Sequence, residues 1–259
     1  MKAKNNKTKS GIRVAVRVLA LLLLLAGITA LVYPYALQFL YNRQAGDDYK
    51  HFVEELPDIP AAEEQVKQPV DTAEDIPYLE LYRKMQAYNS ELYLNGQAEL
   101  TDPWAYEQTS FQLTEYGFEE NIIGYIEIPK IDVVLPIYLG ASNANMKKGA
   151  AHLSQTSLPI GGKNTNSVIC AHRGFSTATM FNHLVDLEEG NEVIITNLWY
   201  TMTYRVTETT TIQSDEVDKL IIQDGKELLT LFTCYYQSGR KDRFVVYCER
   251  HLPSDTSCE

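Results

Sequence analysis

The run VLALLLLLAGITALVYPYAL, from Val18 to Leu37, constrains this chain more than any other feature. About 20 apolar residues, rising 1.5 Å each as a helix, cross a hydrocarbon core of about 30 Å. Lys2, Lys4, Lys7, Lys9, Arg13 and Arg17 precede the run. A basic flank of this kind stays on the cytoplasmic side, which places everything after Leu37 outside. A cleaved signal peptide has a shorter apolar region, about 7 to 15 residues, ending in a small-x-small site. Here the run closes on bulky Tyr33, Pro34 and Tyr35, so the pattern predicts an uncleaved anchor at 18–37 behind a basic tail at 1–17.

The exterior part amounts to about one ordinary domain. Its organisation can be read along the chain. Residues 38–77 read as an extracellular helix followed by a linker, because LPDIPAAEEQVKQPVDTAEDIPY carries four prolines and many acids. Residues 78–120 form a helical region, with Leu79, Tyr82, Met85, Tyr88 and Leu92 spaced by three and four along one face. From 121 to 252 the pattern changes to short β-type runs: GYIEIP, VVLPIYLG, SVICAHR, EVIITN, YTMTYRVTETTTI, ELLTLFTCYY and RFVVYCER. In the fifth of these, Met202, Tyr204 and Val206 alternate with polar residues, as a strand with one buried face requires. Seven or so strands and few helices predict a mostly β domain, a closed or nearly closed barrel. Residues 253–259 are left as a tail.

Composition excludes some functions. A net charge of −11 and a pI near 5.0 argue against a nucleic-acid partner. No C-x-x-C or H-x-x-x-H spacing suggests a metal, GGKNTN lacks the first glycine of a phosphate loop, and no cofactor is expected. Cys170, Cys234, Cys248 and Cys258 do not have the spacing of a disulfide framework, and a domain this large does not need one. At least one free thiol is therefore expected.

Cys234 ends the apolar run TLFTC. An unperturbed thiol is only a few per cent thiolate at neutral pH, so a nucleophilic cysteine needs a neighbouring imidazole to take and return a proton. Of the five histidines, His51 lies near the anchor and His251 near the C-terminus, which leaves His152, His172 and His183 as candidates. His172 emerges where SVICAHR meets a loop, whereas His183 sits in TMFNHLVDL with Met180, Leu184 and Leu187 inward and the imidazole in solvent. Acyl transfer also needs a donor to the developing oxyanion. Arg243, opening RFVVYC nine positions after Cys234, qualifies if YYQSGRKD between them is a loop joining two strand ends. Taken singly, a strand cysteine is usually core, and a lone histidine or arginine is usually solvated.

Together these residues resemble the sortases, cysteine transpeptidases of Gram-positive cell surfaces. TLFTC is similar to the family's TLxTC, AHRG at 171–174 to its histidine motif, and Arg243 falls at the spacing of its arginine. IGYIEIPKIDVVLPIYLG and GAAHLSQTSLPIGGKNTNSVICAHRG resemble the pilus-assembling class C enzymes most closely. Tyr235 and Tyr236 depart from the Thr-Pro that usually follows the nucleophile, and Cys170 stands where Thr is usual. The resemblance implies a closed sortase-type β-barrel of about 7 to 8 strands with N-terminal helices, and Cys234, His172 and Arg243 as catalytic residues. It implies attack on the Thr-Gly bond of an LPxTG-like sorting signal, then transfer through a thioester to a pilin lysine or a cell-wall amine. TDPWAYE resembles the lid of class C enzymes, making Asp102, Pro103 and Trp104 a gate over the site. Two other readings stand beside this one: a class B-like or housekeeping enzyme anchoring proteins to the wall, and a catalytically silent binding barrel.

Overall fold

The computed structural model describes residues 4–56, 76–97, 100, 108–173, 178–213, 216–237 and 240–252. Helix α1, Lys4–Glu55, is long and apolar enough to cross a membrane, with its leucines and valines between Val14 and Val32 exposed. Such a surface suits lipid and not water. By its contacts the chain forms two units, one of residues 1–41 with 176–178, the other of the remainder.

The second unit holds the last turns of α1. There Asn42 donates to the Thr179 hydroxyl at 2.8 Å, and the rings of Tyr49 and Phe52 tilt against Tyr125 at 5.4 and 5.0 Å. Helix α2, Leu79–Leu94, buries Leu81, Tyr82, Met85, Asn89 and Leu92. This face is rotated from the expected one, leaving Leu79 and Tyr88 half-buried. The cause is Asn89, whose amide donates to the Leu158 carbonyl and accepts from the Leu158 N–H at 3.2 and 2.8 Å. A buried asparagine that replaces a backbone partner leaves no mark in a hydrophobic periodicity.

The β-rich part forms a barrel of eight strands in the order β1-β2-β3-β4-β7-β8-β6-β5. These are β1 Ile122–Ile128, β2 Val133–Leu139, β3 Ala150–His152, β4 Thr165–Cys170, β5 Glu192–Asn197, β6 Thr201–Gln213, β7 Glu227–Gln237 and β8 Arg240–Arg250. Closure satisfies both edges of the sheet. The expected barrel is present; β3, with three residues, is too short to show a period. Ahead of β3 lies the short helix α3, Asn143–Lys148, capped by the Ser142 hydroxyl. Gly124 permits closure, because a Cβ there would overlap the Thr196 carbonyl of β5. The TMFNHLVDL segment forms a single tight turn over Leu184–Asp186 in place of a helix. Its burial is as expected, with Met180, Leu184 and Leu187 inside and exposed His183 paired to Asp186 at 2.9 Å.

Two faces of the wall formed by β4, β7, β8 and β6 are apolar. Ile169, Leu231 and Val246 fill the barrel, while Val168, Cys170, Phe232, Val245 and Ile212 form a second cluster on the outside with Leu220 and Leu100. The second cluster is the floor on which the polar site stands.

His152 on β3 is fully buried, its Nε2 2.9 Å from the Ser157 carbonyl, which can only accept, so Nε2 carries the proton. Nδ1 has no hydrogen-bond partner among the described residues. Protonating it would bury an unpartnered charge, and burial holds the imidazole at about 4 against an ordinary 6.5. Between those values the unfolded chain binds a proton that the folded one refuses, so stability rises with pH across this window. Acidification from pH 7 to 4 is expected to remove about 3 kcal/mol through this residue. Thermal midpoints of the full chain in detergent, compared between wild type and His152→Gln, check it: the variant should lose distinctly less on acidification.

Candidate active site

Cys234 lies in β7, exposed, three residues before the strand ends. On β8 it is paired in register with Arg243. The segment expected to be a loop is not one: β7 continues to Gln237 and β8 begins at Arg240. Thiol and guanidinium therefore sit on facing rungs of a ladder and not at two strand ends, a more rigid arrangement. The tyrosines of this stretch have high β propensity, which argued for strand where the turn-forming Ser-Gly argued for loop.

β4 runs parallel to β7 on the other side, with Cys170 paired to Phe232 as the last register position. Two residues further along each chain stand His172 and Cys234. The adjacency persists past the end of β4, because the buried Thr233 hydroxyl donates to the Ala171 carbonyl at 2.9 Å. The carbonyl of His172 in turn accepts from the Phe181 N–H at 3.1 Å. Both peptide groups that orient the histidine are thus held. Thr233 holds the end of β4 against β7, a part that the sequence reading gave to no residue, although it is a fixed letter of the TLxTC pattern that TLFTC resembles.

The electrostatics differ along this row. His172 is half-buried, and burial, followed by the positive charge of Lys147 on α3, holds its imidazole below the ordinary range. The neutral form is therefore favoured near neutral pH. Arg243 lays its guanidinium over the Phe232 ring at 4.9 Å, and its Nη1 is buried without a hydrogen-bond partner among the described residues. An unsatisfied charged donor beside a thiol is costly unless something else is to bind there. Beneath them Cys170 is buried with its sulfur 3.8 Å from the Met146 sulfur. Burial pushes the Cys170 thiol up to about 12, against a smaller pull from Arg243. Cys170, Cys234 and Cys248 are all free thiols. Asp102, Pro103, Trp104 and Cys258 lie outside the described residues. The other two histidines expected as candidates lie elsewhere, His152 in the core and His183 paired to Asp186.

A family model described as Sortase domain matches residues 126–251, which hold all three polar residues of this row. Clostridium perfringens sortase C, solved with the C-terminal cell wall sorting motif, is 32% identical, covers 79% of this chain and 96% of its own, and superposes with a TM-score of 0.57. The chain belongs to the sortase family, the cysteine transpeptidases. Sortase C1 of pilus island 1 of Group B Streptococcus is 31% identical, covering 68% of this chain and 91% of its own at a TM-score of 0.59. Among curated proteins, Bacillus subtilis sortase D is 30% identical over 130 residues, 49% of this chain and 63% of the relative. The chain spans 52 to 63% of the length of the curated relatives it matches, sortases A among them.

The clamp on His172 generates an expectation for this sortase. Thr233→Val removes the donor and leaves the Ala171 carbonyl buried and unpaired, which should cost about 1 to 3 kcal/mol of stability. Thr233→Ser keeps the donor and should recover most of it. Unfolding midpoints of the two variants measure the difference; equal midpoints would mean that the hydrogen bond holds nothing.

Proposed function

We propose that this sortase is a membrane-anchored pilin polymerase that cleaves an LPxTG-like sorting signal between Thr and Gly. The observation that carries this reading is the row itself: a thiol and a guanidinium on facing rungs of β7 and β8, with Nη1 unpartnered among the described residues, and an imidazole two residues past the end of β4 on the neighbouring segment. The thiol sulfur of Cys234 attacks the threonine carbonyl as neutral His172 takes its proton. Arg243 donates to the oxygen as it becomes negative. When the C–N bond breaks, the proton on His172 goes to the departing glycine amine, leaving a thioester on Cys234. A neutral lysine amine of another pilin attacks that thioester and gives its surplus proton to the imidazole, which passes it to the departing sulfur, so that a new amide bond forms as the C–S bond breaks and the thiol is restored.

Support for the pilin as partner comes from the sortase C likenesses, one of them from a pilus island. Support for the sorting signal comes from the relative solved with such a motif. The basic residues before Val18 favour a cytoplasmic N-terminus with the barrel on the exterior face. Wall anchoring is a second reading, favoured by the sortase A relatives. It differs only in the acceptor amine.

The test uses the full chain in detergent with a sorting-signal donor and either a lysine-bearing pilin segment or a wall-peptide amine. Isopeptide formation on lysine supports polymerisation, whereas exclusive use of the wall amine supports anchoring. Cys234→Ala should abolish the product and His172→Ala should lower it by about 10² to 10⁴. Arg243→Ala should lower it by about 10² to 10³, with Lys restoring only part because a point charge does not reproduce the planar fork. Near wild-type turnover by any of the three alanine variants removes that residue from the mechanism.

A further inference from the structure

We propose that Phe232 is a positioning residue that holds the Arg243 guanidinium by its face, so that its Nη1 donor remains free for the acyl oxygen. The inference rests on the transpeptidase reading for its purpose, but on geometry for its content. Phe232 occupies the open position of the TLxTC pattern, where the resemblance assigns nothing. It faces the same side as Cys234, two residues earlier on β7, and is diagonal to Arg243 across the ladder, since Phe232 pairs with Val245 and Cys234 with Arg243. Diagonal neighbours are within reach of aromatic and long side chains. The ring is 8% exposed, held between Cys170 on β4 and Val245 on β8, and the guanidinium carbon stands 4.9 Å from its centre.

The two ways of anchoring an arginine differ in what they leave over. A carboxylate binds in the guanidinium plane and occupies two donors at once. An aromatic face attracts the cation from above and occupies none. Among the described residues buried Nη1 has no hydrogen-bond partner, which is the state that face-on anchoring leaves and a carboxylate anchor would not. The ring also limits the arms that the guanidinium can reach, so the donor is set before the substrate arrives. Tyrosine at this position preserves the face; leucine preserves the apolar bulk and removes it.

Two measurements on the full chain test this. The first needs no substrate. Cys234 is alkylated with iodoacetate and with iodoacetamide, and the adduct is quantified on the peptide carrying residue 234. A guanidinium held beside the thiol favours the anionic reagent, so Phe232→Leu should lower the iodoacetate-to-iodoacetamide rate ratio by about 2- to 5-fold. Arg243→Ala should lower it as well, and the double variant no further. The second is a double-mutant cycle on acyl-enzyme formation with a sorting-signal peptide. Phe232→Leu should slow acylation by about 2- to 30-fold in the wild-type background and by less than about 2-fold with Arg243→Ala, while Phe232→Tyr stays near wild type.

If leucine and tyrosine are equally impaired, or if leucine costs as much without Arg243 as with it, Phe232 is only packing and the proposal falls. Should Phe232→Leu fail to fold, Phe232→Met carries the same comparison. If the wild type acylates no peptide, the transpeptidase reading fails by itself, and the alkylation ratio still decides the role of Phe232.

Discussion

The parallel pairing of β4 with β7 is the interaction on which the site depends. It joins the Ala171 carbonyl to the Thr233 hydroxyl across 62 positions of sequence, and no local contact could bring His172 to Cys234. Parallel neighbours need a long crossover, which here includes β5 and β6, so the strands that complete the barrel are also the connection that makes the site possible. The remaining member, Arg243, arrives by the short hairpin from β7 to β8 and needs no separate arrangement.

That wall carries two kinds of residue for two tasks. Its apolar floor, with Phe232, Val245 and Cys170, gives the site rigid walls and a low dielectric. In such surroundings an unpaired donor is expensive at rest and strong when used, as the oxyanion role proposed for Arg243 requires. Burial and Lys147 act in the same sense on His172, holding its imidazole below the ordinary range, the direction that the proposed base requires. A fully protonated imidazole would have to shed its proton before it could serve as the base.

Much of this was legible in the sequence because the relevant signals are local. The anchor is a composition, the long strands of the barrel are periods of two, and TLFTC, AHRG and Arg243 are short words at fixed spacing. What was not legible depends on tertiary partners. The β3 strand is too brief to alternate, and Asn89 is buried only because Leu158 needs a backbone partner. The hairpin after Cys234 read as a loop because Ser-Gly and three charges outweighed its tyrosines, yet pairing to β6 and β7 on both sides of β8 stabilises the strand. Thr233 and Phe232 look like ordinary strand residues until one is seen to hold a carbonyl and the other a guanidinium.

The central claim is that Cys234 carries the acyl group during turnover. Intact-mass measurement of the full chain, quenched in acid soon after mixing with a sorting-signal peptide, tests it most directly. The account predicts one adduct whose mass equals the peptide up to and including its threonine, located at Cys234 and released by hydroxylamine as a thioester is. An adduct on another residue, or product formed with no adduct at Cys234 at any time, would contradict it.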